Sequence, residues 1–305
     1  MTWEGVTDTL KQTFIHVPSV GPLTEQRLWR EGILSWEDYF AGKSYRLLPP
    51  SLCQRLDEHL EESVDALALG HARHFETLLP AGEVWRIYPE FSKSVAFLDI
   101  ETTGLFAGAN DITVIGLFDG EKTKVFIRGV NLADFAEEIG KYALIVTFNG
   151  KQFDLPFIRR VFGELPPHQA HIDLRYPLRK LGYTGGLKAI EAQLGLEREG
   201  VLKGVDGFLA VLLWKEYEAG NERALDTLIR YNLEDVVNLQ HLADFAYNQA
   251  LARLPIAADP IPVHLKWNVQ VPFDPDLIQR LMGWVKRLHS GRIGLGPGNS
   301  FNTEA

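Results

Sequence analysis

The run FLDIETTGL, residues 97–105, carries two carboxylates, Asp99 and Glu101, inside a series of apolar strand-formers that turns at Gly104. Side chains two apart on a strand share one face, roughly 6.6 Å apart along the chain. Asp99 and Glu101 therefore point one way, and Leu98 and Ile100 point the other. Two like charges on the face of an apolar strand call for a partner, unless the strand is an exposed edge.

The strand pattern continues on both sides of this run. SVAFLDI, DITVIGLF and KTKVFIRG read as three strands joined by Gly- and Asn-containing connections. A helical stretch, LADFAEEIGKY, leads to the apolar strand ALIVTF, a turn at Asn149-Gly150 and a helix through Phe157 to Phe162. The chain then reads as mostly helical to about Gln249, with a short strand at HIDL. A meander of three strands followed by alternating helix and strand predicts an α/β domain, a mixed sheet flanked by helices, over residues 85–250.

Upstream, residues 1–80 read as a small helical module. Residues 14–41 form helix, tight turn and helix, with the turn at Pro18 to Pro22, a stop at Gly32 and a cap at Ser35. Leu52, Leu56, Leu60, Val64 and Leu67 recur at helical spacing, so one long helix is expected over 51–78, with the domain boundary between Pro80 and Pro89. Residues 251–305 are Pro-rich, suggest no function, and end in a dozen residues that read as disordered.

Bulk properties narrow the chemistry. The sequence has 305 residues and one cysteine, Cys53, which rules out an intramolecular disulfide and a cysteine-based metal cage. Any metal is held by oxygen or imidazole. The balance of 31 Lys and Arg against 40 Asp and Glu, net −9, disfavours a protein that coats duplex nucleic acid by charge alone. No apolar run approaches a membrane span, and the opening MTWEGVTDTLKQTF lacks the layout of a signal peptide, so a cytoplasmic location is expected.

Two further carboxylates stand out. Asp154, in NGKQFDLPF, follows a strand at the end where loops of such sheets carry function, although it is also placed to cap the next helix. Asp235 lies seven residues after Leu228 and seven before Leu242, on the same seam of a helix, unless it is an ordinary solvated position. Buried carboxylates need neutralising partners, and a divalent cation partners several at once. Tyr231 lies one turn before Asp235, where it serves either core packing or the orientation of a water.

DIETTG at 99–104, NGKQFD at 149–154 and YNLED at 231–235 resemble, in order and spacing, the three motifs of the DEDD exonuclease superfamily in its tyrosine-bearing subgroup. The lead-in WRIYPEF, with the small N-terminal module, looks most like the YprB-like ribonuclease H-like proteins, and the likeness covers roughly residues 85–248. The resemblance implies a ribonuclease H-like fold and a two-metal phosphodiesterase using Mg²⁺ or Mn²⁺. Asp99 would bridge both ions, Glu101 and Asp235 would complete one site, Asp154 would support the other, and Tyr231 would position water. The implied reaction is 3′–5′ exonucleolytic hydrolysis of DNA or RNA, at single strands or 3′ ends, releasing nucleoside 5′-monophosphates. Alternatives are a structure-selective endonuclease on the same fold and a catalytically silent nucleic-acid-binding scaffold.

By the same resemblance, Thr102, Thr103 and Leu105 line the terminal-nucleotide pocket. Asn149 either donates to a phosphate or simply makes an Asn-Gly turn. Arg175, Arg179, Lys180 and Lys188 face Asp173 alone in DLRYPLRKLGYTGGLK, a basic excess that guides a backbone or is solvated surface. Lys188 follows Gly185-Gly186 near a helix start, where it is a candidate anion-binding residue. VPSVGPLTEQRLW resembles one helix-hairpin-helix unit, with Ser19 where a glycine is usual and Glu25 where a small residue is usual. Nucleic-acid backbone, a partner protein, or packing on the catalytic domain are the open roles for that hairpin.

Overall fold

The computed structural model describes residues 9–43, 48–196, 207–256, 258–264 and 267–289. The reading of the final dozen residues as disordered lies outside them. Five strands, β1 (Val95–Thr102), β2 (Ile112–Phe118), β3 (Thr123–Ile127), β4 (Leu144–Thr147) and β5 (Ala170–Asp173), form one mixed sheet in the order β3-β2-β1-β4-β5. β1 and β2 pair antiparallel, as do β2 and β3, whereas β1, β4 and β5 run parallel. Their three C-terminal ends therefore share one rim, the usual place for function in such sheets.

Helices precede and flank the sheet. In chain order they are α1 (Pro22–Arg30), α2 (Trp36–Asp38), α3 (Pro50–Ala68), α4 (Ala72–Leu78), α5 (Tyr88–Phe91), α6 (Phe135–Ile139), α7 (Asp154–Phe162), α8 (Arg175–Leu181), α9 (Leu187–Gln193), α10 (Gly207–Glu218), α11 (Glu222–Leu251) and α12 (Pro275–His289). Alternation along β1 sorts the two faces. Ala96, Leu98 and Ile100 pack with Phe135, Leu155, Phe157 and Ile158 of α6 and α7. Phe97 packs with Phe118 and with the Val236–Leu242 side of α11. β2 is buried along its whole length, as expected of a sheet covered on both faces.

The expected single helix over 51–78 is two helices. Gly70 adopts φ 69°, and the chain reverses there as the His71 amide bonds back to Ala66 O at 2.8 Å. The break swings α4 onto β5, the edge of the sheet. The Arg73 amide meets His168 O at 3.1 Å, and the His171 amide donates to Glu76 Oε2 at 3.1 Å, so the edge amide is consumed rather than left as a pairing site. Burial raises the Glu76 carboxyl above its usual range.

In the N-terminal module, Ser35 caps α2 through the Asp38 amide as expected. Residues 9–21 are successive turns rather than a helix, with Ser19 at φ 71°. Glu25 is fully buried: its Oε1 accepts the Phe14 and Ile15 amides at 2.8 and 3.0 Å and the Arg86 guanidinium at 2.9 Å. Arg86 lies between the rings of Trp29 and Trp85, at 5.9 and 5.7 Å. The atypical glutamate of the hairpin thus locks the module to the lead-in of the sheet domain.

The segment after α11 runs back along that helix. Asn248 exchanges two hydrogen bonds with Ile261, His264 binds Asp244, and Trp267 packs on Phe118 at 4.9 Å. Arg230 donates to the carbonyls of Val269 and Val271, and Thr227 Oγ1 accepts the Asp274 amide at 3.0 Å. α12 then joins Leu228 and Tyr231 in one apolar cluster. The C-terminal segment is a strap on the helix that carries Tyr231 and Asp235.

Candidate active site

β1 delivers Asp99 and Glu101 to the rim, and a bulge between Glu101 and Thr102 ends the regular pairing there. α11 crosses this face of the sheet. One carboxylate oxygen from each of Asp99, Glu101 and Asp235 lies within 4.8 Å of the others. Glu101 and Asp235 are buried and Asp99 is half-buried. Three carboxylates so close repel one another, and their hard oxygen donors match the requirements of Mg²⁺ or Mn²⁺. The donor set fits a divalent cation.

Asp154 is the first residue of α7, but it does not cap it. The N-cap position is Phe153, and the Asp154 Oδ1 instead accepts the Ile100 amide of β1 at 3.2 Å. The carboxyl is pushed well above its usual range, first by burial and then by the charge of Asp99. Asp154 thus stands beside the trio rather than within its 4.8 Å group.

Sequence reasoning missed the side chain that ties β1 to α11. Asn232 Nδ2 donates to Asp99 Oδ2 at 2.9 Å and to the Asp99 carbonyl at 3.3 Å. This approach requires Gly116, which pairs with Asp99 on β2: a Cβ there would meet Asn232 Oδ1 at 2.0 Å. A lone glycine inside an apolar strand was the available signal.

The NGKQFD loop is held by another residue that was passed over. Buried Asp173 accepts the amides of Asn149, Lys151 and Arg175 at 2.7, 3.1 and 3.1 Å. Asn149 sits at φ 65°, the left-handed conformation of a turn, and its Oδ1 accepts Arg175 Nη1. Gly150 packs where a Cβ would meet Thr147 Oγ1 at 2.1 Å, and that hydroxyl bonds His171 Nε2. Burial lowers the His171 pKa to about 3, so its ring is neutral.

Thr102 and Thr103 shape the loop after β1. Thr102 Oγ1 donates to Gly104 O at 2.6 Å, and Thr103 Oγ1 accepts the Asp111 amide at 3.0 Å. Leu105 and its neighbour Phe106, which the sequence reading did not single out, lie in the loop after β1 and are 65% and 60% exposed. Lys188 Nζ donates to the Tyr231 hydroxyl at 2.6 Å and lies over its ring. Glu191, one turn further along α9, is buried and accepts Asn238 Nδ2 of α11 at 2.7 Å, which fixes the two helices together. Lys180 is bound to Glu83, so its charge is spent on the lead-in.

No described helix is long and apolar enough to cross a membrane. Among solved structures, the chain is similar to the family B DNA polymerase from the hyperthermophilic archaeon Pyrobaculum calidifontis, at 18% identity and TM-score 0.37, over 52% of this chain and 24% of the polymerase. It is also similar to Brucella melitensis NrnC with bound Mg²⁺, at 16% identity and TM-score 0.38, and to the same protein bound to pGG, at 18% and 0.38. Each NrnC match covers 70% of this chain and 92% of NrnC. No curated protein matches the chain. The family model described as the RNase_H superfamily matches residues 96–247, which contain the whole sheet but for Val95, together with all four carboxylates. Residues 96–247 thus form a ribonuclease H-like domain, a mixed five-stranded sheet flanked by helices.

Proposed function

We propose that the chain is a metal-dependent 3′–5′ exonuclease that hydrolyses phosphodiester bonds of DNA or RNA and releases nucleoside 5′-monophosphates. The observation that supports this reading most is the gathering of Asp99, Glu101 and Asp235 within 4.8 Å on the functional rim of the sheet, with Asp154 beside Asp99. These four carboxylates would hold two divalent cations, Asp99 serving both. Bound there, the cations supply Lewis-acid activation of water and charge stabilisation at the attacking and leaving oxygens.

The chain's own groups do the rest. Asn232 fixes the Asp99 carboxylate, and the Ile100 amide fixes Asp154. Tyr231 orients the attacking water through its hydroxyl, and Lys188, bonded to that hydroxyl, is placed to balance charge on the phosphate. Leu105 and Phe106 offer an apolar surface for the terminal base. Thr102, Thr103 and Asn149 act through the loops they shape rather than by reaching the phosphate.

The test is degradation of 3′- and 5′-labelled single-stranded DNA and RNA with Mg²⁺ or Mn²⁺, beside Asp99→Ala. Stepwise loss of 3′ mononucleotides by the parent alone is the expected result. Internal cuts would make the chain an endonuclease, and equal inertness of both folded proteins would reduce it to a binding scaffold.

A further inference from the structure

We propose that the rim beyond the carboxylates, carrying Lys151, Arg175, Tyr176 and Arg179, binds the body of a single-stranded nucleic acid whose end lies at Asp99. The inference takes its orientation from the nuclease reading above. Its chemistry stands on the surface itself.

The parallel strands β1, β4 and β5 set the geometry. Neighbouring strands lie about 4.8 Å apart, so the step from the end of β1 to the end of β5 is about 10 Å. Carboxylates occupy the β1 end. At the other, the carboxylate of Asp173 is buried and taken up by three backbone amides, Glu76 lies near Lys151, and the exposed charges are cations: Lys151 in the loop after β4, and Arg175 and Arg179 on α8 directly after β5. Arg175 and Arg179 are one helical turn apart and both are exposed.

Pairing distinguishes these three from their neighbours. Arg128 and Arg160 bind Asp111, Arg159 binds Glu164, Lys124 binds Glu138 and Lys180 binds Glu83. Lys151, Arg175 and Arg179 make no ion pair among the described residues. In a chain of net charge −9, a cluster of cations left to solvent beside a carboxylate site is a local field of the opposite sign.

Two of the cations are also held in position. Arg175 Nη1 donates to Asn149 Oδ1 at 2.5 Å and to Gln152 Oε1 at 3.2 Å, which leaves other guanidinium N–H groups for a phosphate. Lys151 Nζ lies 5.7 Å from the centre of the Tyr176 ring, and that ring is 41% exposed. A line of cations beside an exposed aromatic ring suits single strands, whose unpaired bases stack on such rings while the backbone follows the charge. A base inside a duplex has no face to offer.

Fluorescence anisotropy tests this with the full chain, in Ca²⁺, on 5′-labelled oligothymidylates from two to about a dozen nucleotides, over a salt series. Oligouridylates in a parallel arm name the sugar. The parent is expected to bind longer strands more tightly. In K151Q/R175Q/R179Q, the gain with length is expected to fall at least about tenfold, and the slope of log affinity against log salt to drop by about 2, at ~0.7 for each cation removed from a single-strand site. Tyr176→Ala is expected to weaken binding several-fold with the slope unchanged. K151Q/R179Q, which leaves the Arg175 bonds intact, gives a proportionate slope change of about 1.4 if the triple variant does not fold.

Equal slopes and affinities in folded parent and variants overturn the proposal, as does a duplex that binds as tightly as a single strand of the same length. Hydrolysis in Mg²⁺ is read separately. A parent that binds along this rim without cutting defeats only the nuclease reading, and one that cuts while the variants keep the parent slope defeats only the rim.

Discussion

Glu25 and Glu101 are both buried glutamates in the same chain, and their surroundings differ in kind. Glu25 is met by two backbone amides and by Arg86, so the chain itself satisfies its charge. Glu101 is brought against two further carboxylates, Asp99 and Asp235, within 4.8 Å. A charge answered by the chain fastens two pieces of structure together. Carboxylates collected on one another from different elements make a site for something that arrives from solution. Burial alone does not separate the two cases, and the sign of the neighbours does.

The largest expected effect is at the second kind of carboxylate. Asp99→Ala should lower hydrolysis in Mg²⁺ on the order of 10³-fold or more, since metal-held charge stabilisation is worth several kcal/mol. Its melting temperature without metal should change little, because the repulsion relieved offsets the lost hydrogen bond from Asn232. Glu25→Ala should behave in the opposite way. It leaves the buried Phe14 and Ile15 amides without their acceptor and takes one of two carboxylates from Arg86, which keeps Glu83, and should cost about 1–3 kcal/mol of stability by denaturant unfolding, while the folded fraction retains its metal response. If both variants lose the same property, the comparison fails.

A smaller effect sharpens it. Asn232→Ala removes the donor that orients Asp99 and should weaken metal affinity or activity about 10–100-fold, the usual range for groups that orient a ligand. Gly116→Ala should reproduce this loss with Asn232 still present, because the added methyl displaces that side chain. A titration of Mn²⁺ into each variant checks both.

The effect that is smallest near neutral pH belongs to the N-terminal module and grows on acidification. His16 is buried, with its Nε2 bonded to Ser63, and its pKa falls to about 3 through burial first, then through His74, His59 and Arg86. Above pH ~6.5 neither the folded nor the unfolded state protonates it. Below that value the unfolded chain takes up a proton that the folded chain refuses, so stability falls from ~6.5 down towards 3. The loss grows by about 1 kcal/mol for each pH unit on the way down. Melting curves of parent and His16→Gln against pH should converge on acidification if His16 is responsible, and run parallel if it is not.

Much of this was legible in the sequence, for reasons that particular residues make clear. β1 could be read on both faces because strand alternation is local: Leu98 and Ile100 enter one core, and Asp99 and Glu101 face α11. Asp235 was legible because its seam mates Leu228 and Leu242 lie on the same helix. Capping remained open for Asp154, since only its bond to the Ile100 amide, 54 residues away, separates the two readings. Asn232 reaches Asp99 across 133 residues, and a contact of that range leaves no local pattern beyond the glycine that admits it. The tail suggested no function because its meaning lies in side chains of α11 bonding to an irregular backbone, as Arg230 does to Val271. Gly70 was a weak breaker in a strongly periodic stretch, and the left-handed turn it makes had to be seen.

The most direct measurement is a calorimetric titration of Mn²⁺ into the full chain, beside Asp99→Asn and Asp235→Asn, with melting temperature followed in the same samples. The account predicts saturable binding and a raised melting temperature in the parent, about 2.7 kcal/mol of added stability at a hundredfold excess over Kd, and loss of both in either variant. Binding of equal strength in all three proteins, or no binding by the folded parent, would contradict it.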